Sequence, residues 1–245
     1  MSKSFHMNRK IYLISLLCIS VLIGISSCSI NCIDGEGELV SDKRPVDGAN
    51  GISVDIDADV SVINGKSEVI NIVAQQNILE KIKTEVDGGL LKITSKGCFG
   101  THEPVKIVVT LPGLNRLDLA GSGRIYIPDT FVVDEIKLRI SGSGKIDGKF
   151  IAASIESDIA GSGSILLAGS ANIQKIVIAG SGDVLADKMP CNEASVKMAG
   201  SGNASVYAIK DLEVKVTGSG TVKYRGKPDL TSKVIGSGKV VDDNR

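Results

Sequence analysis

Apolar and polar residues alternate with period two through the second half of the chain, around a Gly-Ser-Gly phrase that occurs seven times. The copies are Gly121-Ser122-Gly123, Gly142-Ser143-Gly144, Gly161-Ser162-Gly163, Gly180-Ser181-Gly182, Gly200-Ser201-Gly202, Gly218-Ser219-Gly220 and Gly236-Ser237-Gly238. Two residues before the copies stand Leu119, Ile140, Ile159, Ile178, Met198, Val216 and Val234. Two residues after them stand Ile125, Ile146, Ile165, Val184, Ala204, Val222 and Val240. Period two and β-branched residues mean strands with one buried face, whereas a helical repeat would show period 3.6. A repeat near twenty residues is the mark of a solenoid, each repeat being one coil stacked on the last.

The expected fold is therefore all-β. It is a parallel β-solenoid, a right-handed β-helix, of about seven coils of 16–21 residues with an N-terminal β-rich cap. Each coil is read as strand, Gly-Ser-Gly bend, strand and a looser third side. The glycines of all seven phrases are assigned as structural corners, because a corner stacked on an identical corner about 4.8 Å away leaves little room for Cβ atoms. The central serines are expected to align as a ladder.

Ahead of the repeats the pattern is less regular. Ile52, Val54 and Ile56 alternate with Ser53, Asp55 and Asp57, which reads as a half-buried strand. Further strands are expected over 60–63, 69–74, 90–94 and 106–111. Asn77 to Val86 carries Ile78, Leu79 and Ile82 at helical spacing, so a short helix or an irregular excursion is expected there. The domain reading is a signal peptide over 1–27, a polar tether over 28–50, a β-rich segment over 51–115 continuous with the solenoid, and the repeat solenoid over 116–245.

The signal-peptide reading rests on Arg9 and Lys10 before an apolar run from Ile11 to Ile25. The run is short for a membrane span. Ile25-Ser26-Ser27-Cys28 resembles a bacterial lipobox, which implies cleavage before Cys28 and lipid on its thiol. Met7 competes with Met1 as the start. The expected location is the bacterial cell envelope, anchored to the outer membrane by lipid and facing either the periplasm or the outside.

Composition narrows the function classes. The whole chain carries 28 Lys+Arg and 28 Asp+Glu, and without residues 1–27 it loses three bases and no acids. No basic patch stands out, so nucleic acid is not an expected partner. With no Trp and 3% aromatics, the core is expected to be aliphatic. With Cys18 leaving in the signal and Cys28 taking lipid, Cys32, Cys98 and Cys191 remain, and sequence allows any one bridge or none.

Candidate chemistry is sparse. His102 is the one histidine beyond the signal, in the polar loop Lys96–Glu103. With Cys98 it makes two zinc ligands where three or four are needed. Asp55, Asp57 and Asp59 resemble the start of a calcium loop, but Val60 stands where Gly is needed and Lys66 where Glu is needed. The glycine phrases run into strands and lack the helix and Lys-Ser/Thr of a phosphate loop. No catalytic residues, metal or cofactor are assigned. The residues just after each phrase are Arg124, Lys145, Ser164, Asp183, Asn203, Thr221 and Lys239. Stacking would set Lys145, Asp183 and Asn203 in one row, and these three are the candidate ligand-binding residues.

The lipobox-like start, the strand Gly51-Ile52-Ser53-Val54 and the recurring Ala-Gly-Ser-Gly resemble the putative auto-transporter adhesin head domain family of Bacteroidetes-type bacteria. The likeness runs from about Val46 to Val241. It implies a solenoid of parallel strands and a role in adhesion, and it carries over no catalytic residues. The expected function is a non-catalytic binding, adhesion or structural lipoprotein of the envelope, with a protein or glycan ligand and self-association as candidate partners. The rival expectation is a carbohydrate-active or carbohydrate-binding β-helix; a scaffold or sensor output module without external ligand is the third.

Overall fold

The computed structural model describes residues 32–244, and the chain from Ile33 onward forms one compact unit. The expected signal peptide and Cys28 lie outside the described residues. Alternation becomes strand as the sequence pattern dictates. The strands are β1 (Leu39–Pro45), β2 (Gly51–Val54), β3 (Asp59–Asn64), β4 (Val69–Gln75), β5 (Ile82–Asp87), β6 (Leu90–Ser95), β7 (Lys106–Leu111) and β8 (Arg116–Gly121). Then come the long strands β9 (Arg124–Gly142), β10 (Lys145–Gly161), β11 (Ser164–Gly180), β12 (Asp183–Gly200) and β13 (Asn203–Gly218). The last coil is built from β14 (Thr221–Arg225), β15 (Asp229–Gly236) and β16 (Lys239–Asp242).

Each long strand makes nearly one whole coil, and neighbouring coils pair in parallel. Two flat faces meet at the Gly-Ser-Gly corner. The first, face A, follows the corner and runs through β7, β3 and the starts of β9 to β13. The second, face B, precedes the corner and runs through β6, β2, β8 and the ends of β9 to β13. Gly121, Gly142, Gly161, Gly180, Gly200, Gly218 and Gly236 are mutual partners along the stack. The corners step by 18 to 21 residues, so the shortest coil is 18 rather than 16 residues. Register shifts at Asp147/Lys149, Leu166/Ala168, Ala186/Pro190 and Cys191/Glu193 absorb the unequal lengths. The third side is not loose. It pairs too, with Phe131 on Phe150 and Phe150 on Gly169.

The two glycines of a phrase answer different demands. The first has positive φ in every copy, from 95° at Gly121 to 134° at Gly200, a region L side chains rarely enter. The second is in contact with the coil beneath. A Cβ on Gly182 would lie 2.6 Å from Ile159 Cγ2 and 2.8 Å from the Gly163 carbonyl oxygen. The close approach lets the backbone continue the ladder around the bend. Ser181 N–H donates to the Gly161 carbonyl at 2.9 Å, and Asp183 N–H donates to that of Gly163 at 3.0 Å.

Inside, the expected columns are closed. From Leu119 to Val216 and from Ile125 to Val222 every member is at most 3% exposed. The last coil departs: β15 is exposed along its whole length and Val234 is 38% accessible. An all-aliphatic core is corrected by the third side, where Phe131 and Phe150 are among the largest fully buried side chains. Gly148 leaves the room, since a Cβ there would stand 2.8 Å from the Phe150 ring. Ser157 and Gln174 interrupt the aliphatic columns, fully buried, with the Ser157 hydroxyl and the Gln174 carbonyl oxygen lacking partners.

The N-terminal segment begins the same stack. β2 pairs in parallel with β8 and β6, and β3 with β9 and β7. Antiparallel strands then close that end, β1 and β7 on β4 and β5 on β6. Two expectations change here. The helix is one turn, α1 (Gln76–Leu79), and the rest of its apolar pattern is strand β5. The polar tether does not extend to residue 50: β1 is a strand, and Val46 and Ala49 are buried. Edge strands are polar on their open side, which makes them look like linker in sequence.

Cys32 and Cys98 are both disulfide-bonded, and Cys191 is a free, buried thiol. Near Cys98 the chain is fastened further by Ile33 N–H donating to the Cys98 carbonyl at 3.0 Å and Gly100 N–H to that of Ile33 at 2.9 Å.

Candidate functional site

Face A carries the row the repeat spacing pointed to. Lys106, Asp59, Arg124, Lys145, Ser164, Asp183, Asn203, Thr221 and Lys239 are successive partners across nine strands. Each stands one residue before a buried position, or at Lys239 before the partly buried Val240, so alternation turns it outward. Lys145, Asp183 and Asn203 therefore share one row. They do not form one cluster. Asp183 Oδ1 accepts from both Asn203 Nδ2 at 2.8 Å and Asn203 N at 3.1 Å, while Lys145 leans to Asp147 on its own strand at 3.9 Å. Asp183 and Asn203 brace adjacent coils; Lys145 borders an open recess of about 350 Å³ with Asp59, Ser61, Arg124, Tyr126 and Asp147.

Face B holds ion pairs that single-phrase reading missed. Lys137 reaches Glu156 at 3.3 Å and Arg139 reaches Asp158 at 3.4 Å, each across one coil step. Arg116 meets Asp118 at 2.6 Å. The signal lay in the residues three and five before each phrase: Asp118, Arg139 and Asp158 alternate in sign at the first position, and Lys137, Glu156 and Lys175 at the second. Burial pushes the Asp158 carboxyl above the usual carboxylate range, Glu156 adds to this, and Arg139 and Lys137 oppose it. Farther along, Glu193, Asp211 and Asp229 stack in one column, and Lys197, Lys215 and Lys233 in another. The Lys215 ammonium holds Glu213 below its ordinary value by direct hydrogen bond and charge.

The remaining candidates disperse. Cys98 is in a disulfide and is not a metal ligand beside His102. His102 Nδ1 lies 2.6 Å from the Glu103 carbonyl and its ring packs edge-on against Phe99 at 5.6 Å. Asp55, Asp57 and Asp59 are exposed but do not share a strand, since Asp55 and Asp57 lie in the bend between β2 and β3 and Asp59 opens β3, and among the described residues no group of three or more His, Cys, Asp or Glu gathers in metal-binding geometry. No helix of the described residues is long and apolar enough to cross a membrane.

A stack of parallel coils with polar rows on flat outer faces defines a β-solenoid scaffold. The chain belongs to the family described as putative auto-transporter adhesin, head GIN domain, whose model matches residues 50–228. Solved structures with the same fold include a putative adhesin from Bacteroides fragilis, with TM-score 0.81 and 21% identity over 86% of this chain and 99% of that one. Another is a putative adhesin from Parabacteroides distasonis, with TM-score 0.72 and 25% identity over 86% and 100% of the two chains. A protein of Parabacteroides distasonis named as a putative lipid binding protein also matches, with TM-score 0.72 and 24% identity over 86% and 99%. No curated protein matches the chain.

Proposed function

We propose that this protein is a non-catalytic binding module of the adhesin type, held at the cell envelope by lipid on Cys28. The observation that carries the reading is the unbroken outward row on face A, a repetitive donor and acceptor surface without a convergent acid–base pair. Rigid coils hold such a row in place at little entropic cost on binding. Export is supported by the disulfide-bonded Cys32 and Cys98, since disulfides persist in oxidising compartments. The adhesin family itself supports a surface or envelope role.

The test is binding of the full-length chain to arrayed glycans and immobilised matrix proteins. Replacing Lys145, Asp183 and Asn203 together by alanine should leave the fold intact and weaken the ligand found. Turnover of a polysaccharide that these substitutions abolish would overturn the reading in favour of a carbohydrate-active enzyme. Mass spectrometry of the envelope-extracted protein should show Cys28 as a lipid-modified N-terminus; an unmodified Cys28 removes the anchor.

A further inference from the structure

At the N-terminal end of face A, three strands bring six outward side chains into a grid. Asp59, Arg124 and Lys145 are successive partners across β3, β9 and β10, and Ser61, Tyr126 and Asp147 repeat the alignment two residues on. Two strand spacings by two residues make the grid about 10 Å by 7 Å. It lines the recess of about 350 Å³, within the range of small-ligand sites. Tyr126 stands in the middle strand and is 44% exposed, in a chain of only four Tyr and four Phe. Its partners keep free hydrogen-bonding capacity. Among the described residues no ion pair engages Arg124 or Asp59, and the Lys145–Asp147 contact is long at 3.9 Å.

The chemistry narrows the ligand. Two cations and two carboxylates cancel, so an anion drawn to Arg124 and Lys145 meets repulsion from Asp59 and Asp147. An extended peptide is held chiefly by backbone hydrogen bonds at a sheet edge, and this grid lies on a sheet face. A neutral sugar fits both halves of the set. Its apolar C–H face lies on the Tyr126 ring, its hydroxyls donate to Asp59 and Asp147, and its oxygens accept from Arg124 and Lys145. Hydrogen bonds to ionised groups are the stronger kind. We propose that this grid binds a neutral hexose unit of a glycan. The proposal rests on the binding-module reading of face A and names the ligand class for one end of it.

The experiment uses the full-length chain against glucose-, galactose- and mannose-based neutral oligosaccharides, with uronate-bearing and sulfated oligosaccharides as comparison arms. Neutral glycans should bind, and Tyr126→Ala or Asp147→Asn should weaken them at least ten-fold. Tyr126→Phe, which keeps the ring, should stay within a few-fold of the parent, and Lys233→Gln on the exposed strand β15 of face B should change nothing. Circular dichroism and melting identify any variant that fails to fold, in which case Tyr126→Phe and Asp147→Asn decide. Preference for the acidic arms, no binding of neutral glycans, or equal binding by parent and Tyr126→Ala overturns the proposal. A protein ligand bound equally by parent and Tyr126→Ala would leave the binding module standing while ending the sugar site; absence of every ligand would end both.

Discussion

Gly180 and Gly182 stand two residues apart and fail for different reasons when replaced. Gly180 sits at φ 125°, and an added Cβ there would also meet the Gly161 carbonyl oxygen, whereas Gly182 lacks a positive φ but has no space above Ile159 and Gly163. Gly180→Val and Gly182→Val should each cost about 1–3 kcal/mol in urea unfolding. Ser181→Ala should cost little, because Ser181 is exposed and its backbone N–H makes the ladder bond. Glycine variants that unfold at the parent's urea midpoint would show that the corners are neither strained nor crowded. Cys191 gives a second expectation. Burial pushes its thiol from 9.0 up to about 11, so the folded state keeps a proton that the unfolded chain loses first. Its contribution is complete below pH 9 and declines as pH rises towards 11, on the order of 2 kcal/mol in total. The pH dependence of unfolding should therefore be flatter in Cys191→Ala than in the parent over that window, and the native thiol should resist alkylation at pH 8.

Among the elements, β1 shows how a polar segment becomes part of a cap. Its antiparallel register with β4 is continued towards β5 by Arg44, which donates to the Ile82 carbonyl and to Thr84 Oγ1, both at 3.1 Å, and pairs with Asp42 at 2.7 Å. Arg44→Ala should raise amide exchange in β1 and β5 while leaving β10 to β12 unchanged. Equal protection in parent and variant would mean that backbone pairing alone holds β1. The alternating residues of β1 are only half-buried at best, so hydrophobic period was too weak to mark it as a strand.

Over the whole molecule, stability is a sum of coil interfaces, and each coil is secured by its two neighbours. The middle coils, β10 to β12, are covered on both sides; β15 pairs with β13, is exposed along its length and lies at the far end. Native-state exchange should be slowest in β10 to β12 and fastest in β15 and β16. Uniform protection from end to end would show that the solenoid opens only as a unit. Face B adds lateral order through its alternating charges, although exposed pairs such as Lys137–Glu156 are each worth little.

Period and alternation, which are local properties, determined much by themselves. They placed the strands, the inward columns from Leu119 and Ile125 onward, the seven corners and the shared row of Lys145, Asp183 and Asn203, because stacking converts a sequence interval into spatial neighbourhood. Tertiary structure alone decided what that neighbourhood does. Hydrogen bonds between adjacent coils join Asp183 to Asn203, while Tyr126 gains its place beside Ser61 through a strand pairing of residues 65 apart in sequence. The disulfide-bonded state of Cys32 and Cys98 and the strand β1 likewise depend on which segments meet. Contacts of that kind carry no period, so nothing in the local pattern encodes them.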